Sequence, residues 1–414
     1  MVGYSEMKEV VLWVQTTRSV DVAFGYSPEN GNHEFMTSTS RSSAEDAFVV
    51  KLICDSVDEG TTYDYRVFIN GLPIQLDRKL DFETQKMWRW REDPPSFTFA
   101  IGSCAYVNEE KYDRPGKPYG SDYQIFETLS DTDPNFMIWM GDNTYLREAD
   151  WYSRTGILRR NTHTRSLPEI QDFLGHVHHY ATWDDHDYGP NNSDRSFRNK
   201  ADTKEAFDLF WANPTSGLKG EGVTTMFQWA DMDFFMLDNR WFRNANRRFD
   251  IDTADRSVLG EAQMQWLFDQ LSTSYAPYKF VIMGGQFLNT HAGYETMMDL
   301  SPTERQRIID FIYETDLEGV VFLTGDRHHS EISVLEADGK PRIYDITISP
   351  LTAGTVWDKA IEEPNSLRVD GTWVNSHCFG LFEVTGPRKE RKLNLRVIDA
   401  DGKELFTFDL SREN

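Results

Sequence analysis

The stretch Thr182-Trp-Asp-Asp-His-Asp-Tyr-Gly-Pro-Asn-Asn192 ends an apolar run with three acids, a histidine and, past a proline, two amides. So many oxygen and nitrogen ligands in one place cost stability unless they bind something. Met140-Gly-Asp-Asn-Thr-Tyr145 and Thr324-Gly-Asp-Arg-His-His329 also set acids, and a tyrosine or histidines, just after apolar runs. Asp and Asn oxygens suit a hard cation, whereas thiolate, phenolate and imidazole suit a transition metal. A carboxylate between two cations can bridge them, and such a pair can ionise a water for in-line attack on phosphorus. Three strand ends of this kind in one chain point to a single metal site.

Each residue alone has a plainer reading. Cys104 by itself is a small buried residue, Tyr145 a packed aromatic with a satisfied hydroxyl, and Asp142 and Asp326 turn residues following glycine. Their joint occurrence at strand ends is what argues for chemistry. His178 and His179 alternate to opposite faces of a strand, so with His176 they read as structural. His329 should point away from His328. His291 is equally compatible with the cleft or with packing, and Arg240 with an ion pair to Asp238. Cys54 and Cys378 read as core.

The elements that must position these residues change character along the chain. Residues 8 to 92 read as short strands with an Asn70-Gly71 turn, a small β-sandwich of the immunoglobulin or fibronectin III kind. Asp93-Pro-Pro-Ser96 marks a boundary, giving an N-terminal sandwich domain over 1–93 and a catalytic domain over 94–414. From Ser96 strands alternate with helices, the rhythm of a layered α/β domain. Strands are expected at Phe97–Ile101, Phe136–Met140, His179–Trp183, Lys279–Gly284 and Gly319–Leu323, with two more inside Met226–Leu237. Helices are expected at Ser121–Leu129, Leu167–Val177, Lys200–Trp211 and Gly260–Leu271, and Ser301-Pro-Thr-Glu304 reads as a capping box opening another. Ligands gather beyond the carboxyl ends of such strands, where Cys104, Asp142, Asp185, His186, Asp326 and His328 all fall.

Composition narrows the partners. With 414 residues, 39% hydrophobic and 14% aromatic, the chain has ample core material. Its net charge of -24 argues against nucleic acid, which needs clustered Lys and Arg. The three cysteines cannot form a disulfide scaffold. No apolar run of about 18 residues is present to span a membrane. The chain enters a strand almost at once, which suggests that a leader has been trimmed.

Together, Gly102-Ser-Cys104, Gly141-Asp-x-x-Tyr145, Trp183-Asp-Asp-His186 and Gly325-Asp-x-His328, in this order, resemble the alkaline phosphatase D (PhoD-like) family of calcineurin-like metallophosphoesterases. The resemblance covers nearly the whole chain. It implies a four-layer α-β-β-α core and a phosphoric ester hydrolase, holding a ferric ion with one or two calcium ions. By the same resemblance Cys104, Tyr145 and His328 would hold the iron and Asp142 would bridge. Asp326, Asp185 and an amide from Asn191 or Asn192 would hold the second metal. The sequence departs from the family where Asp187 follows His186, and where Gln286 stands in place of a later metal-binding histidine common in the superfamily. The nucleophile would be a metal-bound hydroxide. His186 would protonate the leaving oxygen or contact the phosphoryl group, with Asp185 or Asp187 holding the loop. Arg147 and Arg240 are the candidate partners of the phosphoryl oxygens. A small phosphate mono- or diester, a monomeric state and a location outside the cytoplasm complete the expectation. Two rivals compete with it: a calcium-stabilised binding module, which leaves Cys104, Tyr145 and His328 unexplained, and an iron oxidoreductase, in which His186 after two acids is less natural.

Overall fold

Along the strand Phe97–Gly102, side chains at alternate positions enter two different cores. Phe97, Phe99 and Ile101 face one, and Ala100 faces the other. The same period of two sends Phe136, Ile138 and Met140 inward while Met137 and Trp139 go outward, as a strand buried on both faces requires. In a second sheet Phe234 and Met236 meet the shared inner core while Phe235 turns away from it.

Two sheets thus sandwich one aromatic-rich core, in which Phe99 packs against Phe136, Phe234, Phe280 and Phe382. The computed structural model describes residues 1–31 and 33–411. The first sheet has nine strands, in the order Glu404–Asp409, Lys392–Asp399, Cys378–Thr385, Phe97–Gly102, Phe136–Met140, His178–Thr182, Val2–Ser5, Val10–Gln15 and Val49–Cys54. The second has six: Thr225–Trp229, Met232–Met236, Lys279–Ile282, Val320–Thr324, Ile343–Thr347 and Glu331–Leu335. Helices Gln124–Asp131, Gln171–His176 and Lys200–Phe210 cover the first sheet's outer face. Helices Glu261–Thr273 and Pro302–Glu314 cover the second's. This is the four-layer α-β-β-α arrangement expected from the sequence.

The N-terminal strands do pack as a sandwich. A smaller sheet built on Asp21–Pro28 and Thr62–Ile69 closes over a core of Val10, Leu12, Phe24, Tyr26, Tyr63 and Phe82. One half of that sandwich, however, is the edge of the nine-stranded sheet, where Val2 lies opposite His178 in a parallel pair. Residues on either side of position 93 therefore share one sheet.

The box expected at Ser301 does not form. Ser301 Oγ donates to the Arg256 carbonyl, and the Glu304 carboxylate reaches across to Ser257 Oγ and to the backbone N–H groups of Val258, Leu259 and Gly260. Glu304 thus ties down the loop that leads into the neighbouring helix rather than capping its own, which local spacing cannot reveal. The helix Arg154–Arg165 also escapes sequence reading because it has no apolar stripe. Ile157 and Leu158 alone enter a core, with Trp13, Leu146 and Phe210, and ion pairs from the buried Arg160 to Asp150 (2.7 Å) and Glu109 (2.8 Å) add to this.

Two buried glutamates, Glu304 and Glu331, each gather several donors. Glu304→Ala would orphan several buried donors and should cost about 2–4 kcal/mol, read as a lower urea midpoint. Glu331, fully buried, accepts from Gln286, Asn289 and Arg368 and lies 3.8 Å from His329 Nε2. Burial pushes its pKa up, but His329 and Arg368 outweigh this and hold it at about 2, against 4.5 unperturbed. A depressed carboxylate stabilises the fold above the unfolded pKa. That contribution, about 3 kcal/mol, should disappear as pH falls from 4.5 towards 2. Glu331→Gln should flatten the acid limb of a stability-versus-pH curve over that window.

Candidate metal centre

Register brings the motif turns together. Gly102 lies opposite Trp139, and Met140 opposite Thr182, so the turns at 103–104, 141–145 and 183–188 leave one edge of the first sheet side by side. In the second sheet Met236 lies opposite Ile282 and Ile282 opposite Leu323, which aligns Asp238, Gly284 and Gly325-Asp326. The turns interlock through their backbones: Cys104 N–H donates to Gly141 O (3.2 Å), Ala105 N–H to Asp142 O (2.9 Å) and Gly325 N–H to Gly284 O (2.7 Å).

The backbone is strained where the ligand candidates sit. Cys104, Asp142, Asp326 and His328 have φ of 60°, 53°, 68° and 55°, in the left-handed region that non-glycine residues avoid. Such conformations cost roughly 1–3 kcal/mol each and persist where surrounding structure imposes them, typically at functional sites.

Three overlapping groups of ligand atoms result, each with its members within 4.8 Å of one another: Cys104, Asp142 and His328; Asp142, Asp185 and His186; and Asp184, Asp185 and Asp326. Asp142 belongs to the first two, as a bridging carboxylate would. Tyr145 joins the first, its hydroxyl 3.2 Å from His328 Nε2, and its ring lies 4.3 Å from that of His186. His328 Nδ1 meets the Gly354 carbonyl and, at 3.1 Å, the Tyr119 hydroxyl, so that Nε2 is the ring nitrogen turned to Tyr145 and the cluster. His186 N–H donates to Asp142 Oδ1 (3.1 Å). The motif itself forms one helical turn, Asp185–Tyr188, with Asp184 as N-cap in a capping box closed by Asp187. Asp187 also accepts from Asn143 N–H (3.2 Å) and Thr144 N–H (2.8 Å), tying this turn to the Asp142 loop.

The charge balance of this cluster fits cations. Burial and then the neighbouring carboxylates push Asp142 well above the usual range, and burial with Asp184 and Asp185 lifts Asp326 to about 8. Asp184 is raised by burial against the pull of Arg240. Burial lifts the Cys104 thiol to about 12 and drives the Tyr145 phenol up as well. Burial lowers His186 and His328 below the ordinary imidazole range, against the pull of Asp185 on the first and Asp326 on the second. Only Asp185 is depressed, because His186 and Arg240 outweigh its burial. Asp184 Oδ2 and Asp185 Oδ1 are buried without a hydrogen-bond partner among the described residues. Crowded acids with orphaned oxygens become stable when positive ions fill the space between them.

Other expected site residues behave differently. Arg147 spends its guanidinium on Asp113 (2.8 Å) and on the Val107 and Tyr145 carbonyls, stacked 3.8 Å from the Tyr106 ring. Three of its five N–H donors, one from each nitrogen, are therefore spent bracing the Tyr145 loop. Arg240 is buried and pairs with Asp184 and Glu295 through its side chain; Asp238 meets only its backbone N–H. Asn191 and Asn192 are exposed and pair their amides with each other, and Asn192 reaches Asp185 through its backbone N–H. His291 is in none of the three groups, and Gln286 is buried against Glu331 and Thr347. All three cysteines are free and buried.

Two residues that sequence reasoning passed over belong here. Asp184 enters the third group, seated so tightly that a Cβ on Gly284 would lie 2.4 Å from its Cγ, and one on Gly141 2.7 Å from its Cβ. Asn239 donates to Asp184 Oδ1 (2.8 Å) and keeps its own Oδ1 buried and unpartnered. The doubled acid of Asp184-Asp185 and the Asp238-Asn-Arg240 run were the available signals.

Two facing sheets with helices outside and acids, histidines, a thiol and a phenol at their shared edge define a metallophosphoesterase fold. Solved structures agree. PhoD superposes with a TM-score of 0.78 at 17% identity, covering 100% of this chain and 91% of that one. Purple acid phosphatase PPD1 from yellow lupin (Lupinus luteus) seeds gives 0.70 at 10% identity, covering 100% of this chain and 74% of that one. The profile of the PhoD-like phosphatases matches residues 99–390, so the chain belongs to the PhoD-like phosphatase family. Alkaline phosphatase D of Bacillus subtilis (strain 168) is 25% identical over 291 residues, covering 59% of this chain and 48% of that protein. The chain thus spans about half the length of that relative.

Asp142→Ala and Asp326→Ala should each lose bound metal by elemental analysis. Gly284→Ala should do the same without removing a ligand, since its methyl group would displace Asp184.

Proposed function

We propose that this chain is a metal-dependent phosphoesterase that hydrolyses phosphate mono- or diesters, with residues 94–414 supplying the chemistry. The observation that carries the reading is the buried run of overlapping ligand groups, in which Asp142 is shared and two carboxylate oxygens lack partners. Family membership supports the reaction class. Cys104, Tyr145 and His328 would hold a ferric ion, given a thiol, a phenol and an imidazole in one group. Asp184, Asp185 and Asp326, all oxygen donors, would hold a harder ion such as calcium, with Asp142 between the two. Asn239 now stands beside Asn191 and Asn192 as a source of an amide ligand.

Bound cations would supply Lewis acidity, neutralising phosphoryl charge and making a water nucleophilic near neutral pH. The chain's own residues do the rest. Asp142 fixes the His186 turn through its backbone, and Tyr145 packs against the imidazole, so the ring is held at the centre's edge. From there it can deliver a proton to the departing ester oxygen. Asp187 keeps that turn and the Asp142 loop in fixed relation, and Arg147 does so for Tyr145. A periplasmic or extracellular location and a monomeric state remain part of this proposal.

Mono- and bis-aryl phosphates assayed with and without a chelator, beside elemental analysis, test the reading. Chelator-sensitive release of aryl alcohol is expected; none from either ester with metals present would exclude it. Thiolate or phenolate on ferric iron should also colour the protein. His186→Ala should retain metal and lose about 10²–10⁴-fold in turnover, and full activity in that variant would remove His186 from the mechanism.

A further inference from the structure

The Arg240 guanidinium joins two carboxylates. Its Nε meets Asp184 of the metal cluster, and its Nη1 donates to Glu295 Oε2 (2.8 Å). Arg243 closes on the same carboxylate, Nη1 to Oε2 at 2.7 Å and Nη2 to Oε1 at 2.5 Å. Both arginine side chains are nearly inaccessible, at 1% and 3%. Arg243 Nε is buried with no hydrogen-bond partner among the described residues. Two forked guanidiniums converging on one pair of oxygens is the geometry that binds carboxylate and phosphoryl groups.

The carboxylate filling this seat comes from a strained strap. Tyr294 and Glu295 are consecutive non-glycine residues with φ of 51° and 63°. Tyr294 is 57% exposed. Bulky residues in that conformation are outliers that must be held in place; the arginine clasp holds Glu295, while Arg327 lies 4.9 Å over the Tyr294 ring. Glu295 brings a further negative charge beside Asp184 and Asp185, where like charges already accumulate. Arg240 touches the cluster directly at Asp184, and Arg243 reaches it through Glu295.

We infer that Arg240 and Arg243 form an oxyanion subsite, one guanidinium away from the metal cluster, in which Glu295 stands in for an anionic group of the ligand. A carboxylate or phosphoryl group carried by the substrate, or a free inorganic oxyanion, would displace Glu295 and release the strap. This rests on the phosphoesterase reading only for what is tethered to that anion. The arginine seat itself does not depend on turnover.

Non-hydrolysable probes test it on the full metal-loaded chain by calorimetry. In Glu295→Gln, 2-carboxyethylphosphonate should bind at least 10-fold more tightly than in wild type, while propylphosphonate, which lacks the second anion, changes little. Adding Arg243→Gln should abolish the gain. A gain for sulfate without one for 2-carboxyethylphosphonate would assign the seat to a free oxyanion. No gain for either probe, or a gain that survives Arg243→Gln, would overturn the subsite. Wild-type protein gives an independent measure: saturating 2-carboxyethylphosphonate or sulfate should speed hydrogen exchange over residues 292–296, and unchanged exchange with both would count against the proposal even if Glu295→Gln failed to fold. A chain that binds these probes but leaves the aryl phosphates intact would retain the subsite and lose the phosphoesterase reading.

Discussion

Like-charge crowding at the edge of two sheets is the constraint around which this molecule is organised. Asp142, Asp184, Asp185 and Asp326 are brought together out of water, with Arg240 as the cation in direct contact. Carboxylates so placed stay ionised only if positive charge lies between them. A metal centre therefore follows from the energetics of the acids as well as from their kinds. Strand register, tight glycine seats and left-handed turns all serve to hold those acids in positions they would otherwise leave.

Supporting polar groups take over where packing ends. Asp187 ties the helical turn of the motif to the Asp142 loop, and Arg147 ties the Tyr145 loop to Asp113. Behind the second sheet, Glu331 gathers Gln286, Asn289 and Arg368. Each network satisfies buried donors that could not otherwise be carried so close to a reactive cleft. The arginines were the obvious residues to assign to substrate, yet the structure spends Arg147 on scaffolding. Arg240 is divided between the cluster and Glu295.

The N-terminal strands show how continuous the scaffold is. Val2–Ser5 pairs with the strand that delivers Asp184 and Asp185, so the sandwich stiffens one side of the site. A sandwich attached through a linker could not do this.

Much of the site was legible in the sequence, because strand-end glycines followed by acids are local patterns: Cys104, Asp142, Tyr145, Asp185, Asp326 and His328 could be picked out residue by residue. The layered fold was legible too, from runs such as Phe97–Ile101 and Phe136–Met140 and the helices between them. What lay beyond it depended on partners distant in the chain. Glu304 carries a capping signature but binds the loop before another helix, the Arg154–Arg165 helix relies on ion pairs beside two apolar side chains, and Val2 pairs with a strand far along the chain. Asp184 and Asp185 are adjacent acids, and only tertiary contacts bring both to the centre, Asp184 packed against Gly141 and Gly284 and Asp185 held by the Asn192 backbone. Sequence determined which side chains could bind a cation, since that is a property of residue type. The tertiary structure decided which are close enough to share one, since distance and burial arise only when the two sheets meet.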